Sequence, residues 1–180
     1  MNIVETKRLI LRNIIESDAE DIFDYAHNPN VGINAGWEPH KDLAETKIIM
    51  KDIFLDKPNI FGIILKEKNK LIGTVGFMDD PLRNNPNALM LGYALSEDFW
   101  GMGIMSEASK AVLSFAFNKL KVDIVSCSCY TENLRSKKVI LKSGFKRDGV
   151  LRECEQRYDG KIMDLECFSI TKKEWTRMTV

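Results

Sequence analysis

The chain reads as an α/β protein of the α+β kind, with a mixed, mostly antiparallel seven-stranded sheet flanked by about four helices. Three observations predict this. Runs rich in β-branched and aromatic residues alternate with stretches whose apolar residues recur every three or four positions. Ile60–Glu67 and Leu71–Met78 are joined by Lys68-Asn69-Lys70, a hairpin-length connection that makes the two runs antiparallel. The order along the chain is strand, two helices, three strands, helix, strand, helix, two strands.

The first strand falls at Arg8–Ile14, where Leu9 and Leu11 alternate with charged residues. Ser17 is placed to cap a helix over Asp18–His27, with Glu20 closing a capping box. Asn28-Pro29-Asn30 ends that helix, because a residue before proline is pushed out of the α region. Val31–Lys41, with two glycines and Trp37, reads as an irregular, substrate-facing loop. A second helix follows at Asp42–Leu55, where Leu43, Lys47, Met50 and Phe54 share a face.

After the hairpin, the proline- and asparagine-rich segment Pro81–Asn87 is a loop and Ala88–Ser96 a strand. Ile104–Lys119 is a helix whose inner face carries Ala108, Ala111, Val112, Phe115 and Ala116. Ile124–Tyr130 reads as a strand and Leu134–Lys142 as a helix ended by Gly144. Final strands at Phe145–Glu155 and Ile162–Thr171 are joined by a turn at Asp159-Gly160. With 180 residues and no internal repeat, one domain over 1–180 is expected.

Composition narrows the function classes. Lys plus Arg equals Asp plus Glu at 26 each, so no basic field gathers nucleic acid or anionic lipid. No apolar run approaches the ~20 residues that cross a bilayer, and no signal-peptide core opens the chain, so a cytoplasmic location is expected. Cys127, Cys129, Cys154 and Cys167 lack metal or redox spacing and read as reduced thiols. His27 and His40 are the only histidines and neither has a ligand or triad partner at a telling spacing, so no metal is expected.

The stretch that carries chemistry is Leu91–Ala108, a strand running through an acidic turn into Trp100-Gly101-Met102-Gly103 and on into a helix. Two glycines let successive N–H groups converge beside the positive end of that helix, an anion cradle suited to a pyrophosphate. G-x-x-x-x-G-K-[ST] is absent, and Ser106 stands where G-x-G-x-x-G needs its third glycine, which disfavours P-loop and dinucleotide folds.

Leu91-Gly92-Tyr93, Phe99 through Ala108, Asn133-x-x-Ser136, Gly144-Phe145, Arg152-Glu153 and Asp159-Gly160-Lys161 together resemble the GNAT acetyltransferase superfamily. Within it they resemble the Rim-type enzymes that acetylate ribosomal-protein amino termini, as do Glu5–Arg12 and Trp37-x-Pro39-His40. The resemblance implies a bent sheet splayed between its fourth and fifth strands, with acetyl-coenzyme A in the splay. By position it implies that Tyr93, Ala94 and Leu95 pair with the pantetheine arm. It also implies that the amides of Trp100, Gly101, Met102, Gly103, Ile104, Met105 and Ser106 hold the pyrophosphate and that Asn133 contacts the cofactor.

Two departures stand out. The pattern often opens with Gln or Arg three residues before the first glycine, where this chain has Asp98, so phosphate binding would lean on backbone amides and on Lys or Arg from elsewhere. Many members, spermidine acetyltransferases among them, place a tyrosine seven residues after the asparagine to protonate the departing thiolate, whereas here that residue is Ile140. Rim-type enzymes use a serine three residues after the asparagine, and Ser136 holds that place.

Attack on a thioester by an amine needs a neutral nucleophile, a stabilised oxyanion and a proton for sulfur. Ser136 is the candidate proton donor and Glu155, at the position of a Rim-type glutamate, the candidate base, with Glu153 and Glu38 in reserve. Trp37, Glu38 and His40 are candidate acceptor-binding residues. The acceptor reads as a protein amino terminus, the resemblance allowing a homodimer. A small amine such as a polyamine or aminoglycoside, a silent acyl-coenzyme A sensor and a plain interaction protein are the alternatives.

Overall fold

The structure, a computed structural model, describes residues 2–179. Eight strands are hydrogen-bonded in the order β1-β2-β3-β4-β5-β6-β8-β7. They are Ile3–Glu5 (β1), Leu9–Asn13 (β2), Ile60–Leu65 (β3), Lys70–Asp79 (β4), Ala88–Leu95 (β5), Ile124–Tyr130 (β6), Lys146–Gln156 (β7) and Ile162–Thr171 (β8). The helices are Ala19–Ala26 (α1), Pro29–Ala35 (α2), Leu43–Ile53 (α3), Ile104–Phe115 (α4), Leu134–Lys142 (α5) and Lys172–Thr179 (α6). β1-β2, β2-β3, β3-β4, β6-β8 and β7-β8 run antiparallel, and β5-β6 parallel. The class expected from the sequence is therefore found, with eight strands in place of seven and six α-helices in place of about four among the described residues.

The extra elements have local causes. β1 is only three residues long, too short to show alternation, and turns back on β2 through the Thr6 amide and hydroxyl, which bond Leu9. Asn28-Pro29 starts α2 as well as ending α1: the Asn28 side chain accepts from the Asn30 amide, and Pro29 sits at the first helical position. Half of the expected loop at 31–41 is thus helical, closing at Gly36 with φ of 89°. Nor is Ser17 the cap of α1. The chain enters through a 3-10 turn at Glu16–Asp18, and the Asp18 carboxylate accepts from the Ile15 amide and from both Arg12 nitrogens, each at 2.7 Å. α6 is started by Thr171 and Glu174, each capping the other's backbone amide.

The chain divides into two compact units. One comprises the residues up to Gly76 with Tyr93–Ala111, and the other Phe77–Gly92 with the chain from Val112 onward. In the first, α1 buries Ala19, Ile22, Tyr25 and Ala26, one helical face, against Met50 of α3 and Ile64 and Leu71 of the sheet. Each large side chain buried this way contributes about 1.5–3 kcal/mol. Gly73 of β4 is required by a close approach: a Cβ there would lie 2.4 Å from the Ala94 carbonyl oxygen of β5.

In the second unit, the core holds Leu113, Phe117, Val125, Ile140, Phe168 and Ile170. Trp175 of α6 stacks on Phe117 with ring centroids 5.8 Å apart. Glu166, buried on β8, is held by Lys137 at 2.8 Å and Arg147 at 2.6 Å, which keeps its carboxyl below the usual range, Lys137 first.

Candidate active site

In the first unit, β5 leads through a 3-10 turn at Glu97–Phe99 into the glycine loop and α4. Gly101 and Gly103 have φ of 78° and 74°, the left-handed region where a side chain is strained. A Cβ on Gly101 would meet nothing within 4 Å, so the backbone conformation rather than space calls for glycine there. Among the described residues, the N–H groups of Gly101, Met102, Gly103, Ile104, Met105 and Ser106 donate to no carbonyl outside the helices. Those of Ile104, Met105 and Ser106 lie in the first turn of α4, where no intrahelical partner exists. Gly101, Met102 and Gly103 are exposed while Ile104 and Met105 are buried. Unpaired amides at a helix N-terminus are donors that can bind an anion such as a pyrophosphate. The Trp100 amide, expected among them, is instead spent on the Glu97 carbonyl at 3.0 Å.

Side chains the sequence reading missed hold this loop. Glu97 accepts from Asn28 at 2.8 Å and from Asn30 at 3.0 Å, tying the turn to the start of α2. The Trp100 indole donates to the Leu95 carbonyl at 2.8 Å, and the Ser96 amide to the Ile72 carbonyl. Arg8 donates to the Met102 carbonyl and to Glu107. The available signal was the pairing of a helix-entry Asn-Pro-Asn with an acid just before the glycines, which spacing alone does not connect. Of the expected pantetheine residues, Ala94 and Leu95 are buried and Tyr93 is half-buried.

The expected acceptor residues lie where α2 gives way to α3. Glu38 is exposed. Trp37 packs on the core, its indole N–H buried without a partner among the described residues. His40 is buried, its Nδ1 at 2.9 Å from the Thr46 hydroxyl of α3. Burial holds its pKa below the usual value, with Glu45 opposing.

In the second unit, β5 pairs with β6 only over Ala88–Met90 opposite Ile124–Ser126, although β6 continues to Tyr130. Asn133 then caps α5, its side-chain oxygen accepting from the Ser136 amide at 3.0 Å. Ser136 thereby sits in the first turn of α5. Burial pushes the Cys129 thiol of β6 up to about 11, with Ser136 opposing the rise. Ile140 is buried at 1% exposure.

Glu155 follows a bulge in β7. Register with β8 shifts between Leu151 and Glu155, where Glu153 takes φ of 51° and its amide donates to the Asp164 carboxylate at 2.8 Å. Glu155 emerges opposite Met163 and accepts from the Tyr130 hydroxyl at 2.6 Å. Tyr130 was read only as a strand residue, and no local spacing connects it with Glu155. No group of three or more His, Cys, Asp or Glu among the described residues is placed to hold a metal. No described helix is long and apolar enough to cross a membrane.

Residues 8–146 match the family model described as Acetyltransferase (GNAT) domain. The chain is 32% identical to the uncharacterized N-acetyltransferase YoaA of Bacillus subtilis, over 94% of this chain and 97% of that one. It is 24% identical to the [ribosomal protein uS5]-alanine N-acetyltransferase of Escherichia coli, over 95% and 91% of the two chains. The fold matches that of the spermidine N-acetyltransferase of Vibrio cholerae, solved with CoA and spermine. The TM-score is 0.79 at 18% identity, over 95% of this chain and 99% of that one.

Proposed function

The chain belongs to the GNAT acetyltransferase family, and on that premise we propose that it acetylates the α-amino group of a protein amino terminus, working as one domain over 1–180. It is an acetyl-CoA-dependent N-acetyltransferase. Acetyl-CoA supplies an acetyl group activated as a thioester. The Gly101–Ser106 amides hold its pyrophosphate, Tyr93, Ala94 and Leu95 offer backbone to its pantetheine arm, and Asn133 contacts it from the start of α5.

The observation that carries the acceptor reading is the pair Ser136 and Ile140. Ile140 is a buried hydrocarbon and has no proton to give, whereas Ser136 presents a hydroxyl in the first turn of α5. That is the Rim-type arrangement, and the likeness to a ribosomal-protein alanine acetyltransferase over 95% of the chain supports it. As the amine nitrogen bonds the acetyl carbon and the C–S bond breaks, Glu155, which accepts from the Tyr130 hydroxyl, takes the amine proton through water, and Ser136 passes a proton to the departing sulfur while regaining one from water. An α-amino group, with a pKa of about 8 against about 10.4 for lysine, is largely within reach of so weak a base. Trp37, Glu38 and His40 frame the acceptor side.

Thiol release from acetyl-CoA, measured against peptides with free Ser, Ala or Met amino termini, lysine peptides, spermidine and an aminoglycoside, tests the reading. Turnover confined to terminal peptides supports it. Turnover on spermidine or the aminoglycoside alone moves the acceptor to small amines, and binding without turnover on any acceptor points to a sensor.

A further inference from the structure

Asp98 removes the cation that this family often places just before its glycines, and the loop is left with backbone amides alone along its own sequence. A cation reaches it from the other end of the chain. The Arg8 guanidinium, two residues beyond the Thr6 turn of the β1-β2 hairpin, donates from Nη1 to the Met102 carbonyl at 2.9 Å and from Nε to Glu107 Oε2 at 2.7 Å. Glu107 is fixed in turn by the Thr6 hydroxyl at 2.6 Å and the Arg8 amide at 3.0 Å, both on Oε1. That leaves Nη2, which makes no hydrogen bond among the described residues and lies 3.8 Å from where a Cβ on Gly103 would stand. The Arg8 side chain is 40% exposed.

These contacts divide the guanidinium into two functions. Nε and Nη1 are spent on Glu107 and on the carbonyl between the two left-handed glycines, which turns the Met102 peptide so that its oxygen faces the cation. Nη2 lies beside Gly103, on a side chain that is partly exposed. A structural ion pair with Glu107 needs neither the bond to Met102 nor an unspent nitrogen beside Gly103.

We infer that Arg8 is part of the donor-binding site: it sets the shape of the Gly101–Gly103 loop through the Met102 carbonyl and presents Nη2 to a phosphate of coenzyme A. The inference rests on the reading that this loop binds the pyrophosphate. Arginine suits the task because its planar fork bonds a carbonyl, a carboxylate and a phosphate oxygen at once, which a lysine point charge does not.

Calorimetric titration of the full chain with coenzyme A, and separately with pantetheine, which lacks the phosphates, tests this for the wild type, Arg8→Gln and Arg8→Lys. Circular dichroism and thermal melts verify folding. Arg8→Gln is expected to weaken coenzyme A binding by about tenfold or more, as a lost charge-assisted bond does. Arg8→Lys should lie between the two, and the affinity for pantetheine should not change. The salt dependence of coenzyme A binding should be shallower in Arg8→Gln. Unchanged coenzyme A affinity in Arg8→Gln overturns the inference, as does an equal loss for both ligands, which marks a purely structural arginine. A wild type that binds neither ligand overturns the assignment of the loop itself, and with it this one.

Discussion

The Tyr130 hydroxyl donates a 2.6 Å hydrogen bond to Oε1 of Glu155. Burial first, and the carboxylate second, push the phenol well above its ordinary value, so Tyr130 stays protonated and a donor at neutral pH. Such a bond orients the carboxylate. If Glu155 is the base, Glu155→Gln should lower kcat by about a hundredfold, within the usual range for general-base catalysis. Tyr130→Phe should lower it by about three- to tenfold, and the double variant should be no worse than Glu155→Gln. Initial rates on a terminal peptide decide the point. Multiplying losses would mean that the two side chains act independently.

Ser136 is the candidate proton donor, and it acts electrostatically on the Cys129 thiol of β6. Because burial pushes Cys129 up to about 11, the thiol carries almost no thiolate at pH 7.5, and it is too poor a nucleophile to share the reaction. Ser136→Ala should therefore lower kcat by about ten- to a hundredfold with little change in the KM for acetyl-CoA, whereas Cys129→Ala should keep most of the activity. Steady-state kinetics on both variants test this, and a Cys129→Ala enzyme as impaired as Ser136→Ala would reverse the assignment.

Two glycines of the first unit should respond to alanine to very different extents. At Gly101 the new methyl meets nothing, and only the left-handed φ of 78° is costly, about 1 kcal/mol. Gly101→Ala should fold with a small loss in urea midpoint and a weaker affinity for coenzyme A. At Gly73 the methyl lands 2.4 Å from the Ala94 carbonyl and 3.0 Å from the Leu95 Cα, both backbone. Gly73→Ala should destabilise by about 3 kcal/mol or fail to fold, because strands β4 and β5 must part to admit it.

What the sequence showed, and what it hid, follows from the range of each interaction. The glycine turn into α4 and the Gly144 terminator, with its φ of 98°, are local and were legible from neighbours within a few residues. α2 was missed because Asn-Pro was read as a stop when it is also a start, and α6 because the Thr171-x-x-Glu174 box was not read as one. Arg8 against Met102, separated by 94 positions, and Tyr130 against Glu155, separated by 25, are long-range pairings with no periodic trace. The first supplies the cation whose absence at Asp98 the sequence had flagged.

His40 gives a pH-dependent test of the segment proposed to frame the acceptor. The Thr46 hydroxyl donates to the Asp42 carbonyl at 3.1 Å, which leaves its oxygen to accept from a protonated His40 Nδ1. Burial lowers the folded-state pKa below 6.5, with Glu45 opposing. As pH falls through about 6.5 the unfolded chain takes up a proton that folded His40 resists, so this group's contribution is full at pH 7.5 and declines towards pH 5. His40→Gln removes the titration while other groups are shared and cancel in the difference. The variant should be about 1 kcal/mol less stable at pH 7.5, by urea unfolding, and the gap to wild type should narrow by pH 5.5. A gap that stays constant would show that His40 binds its proton equally well in both states, and that burial does not govern it.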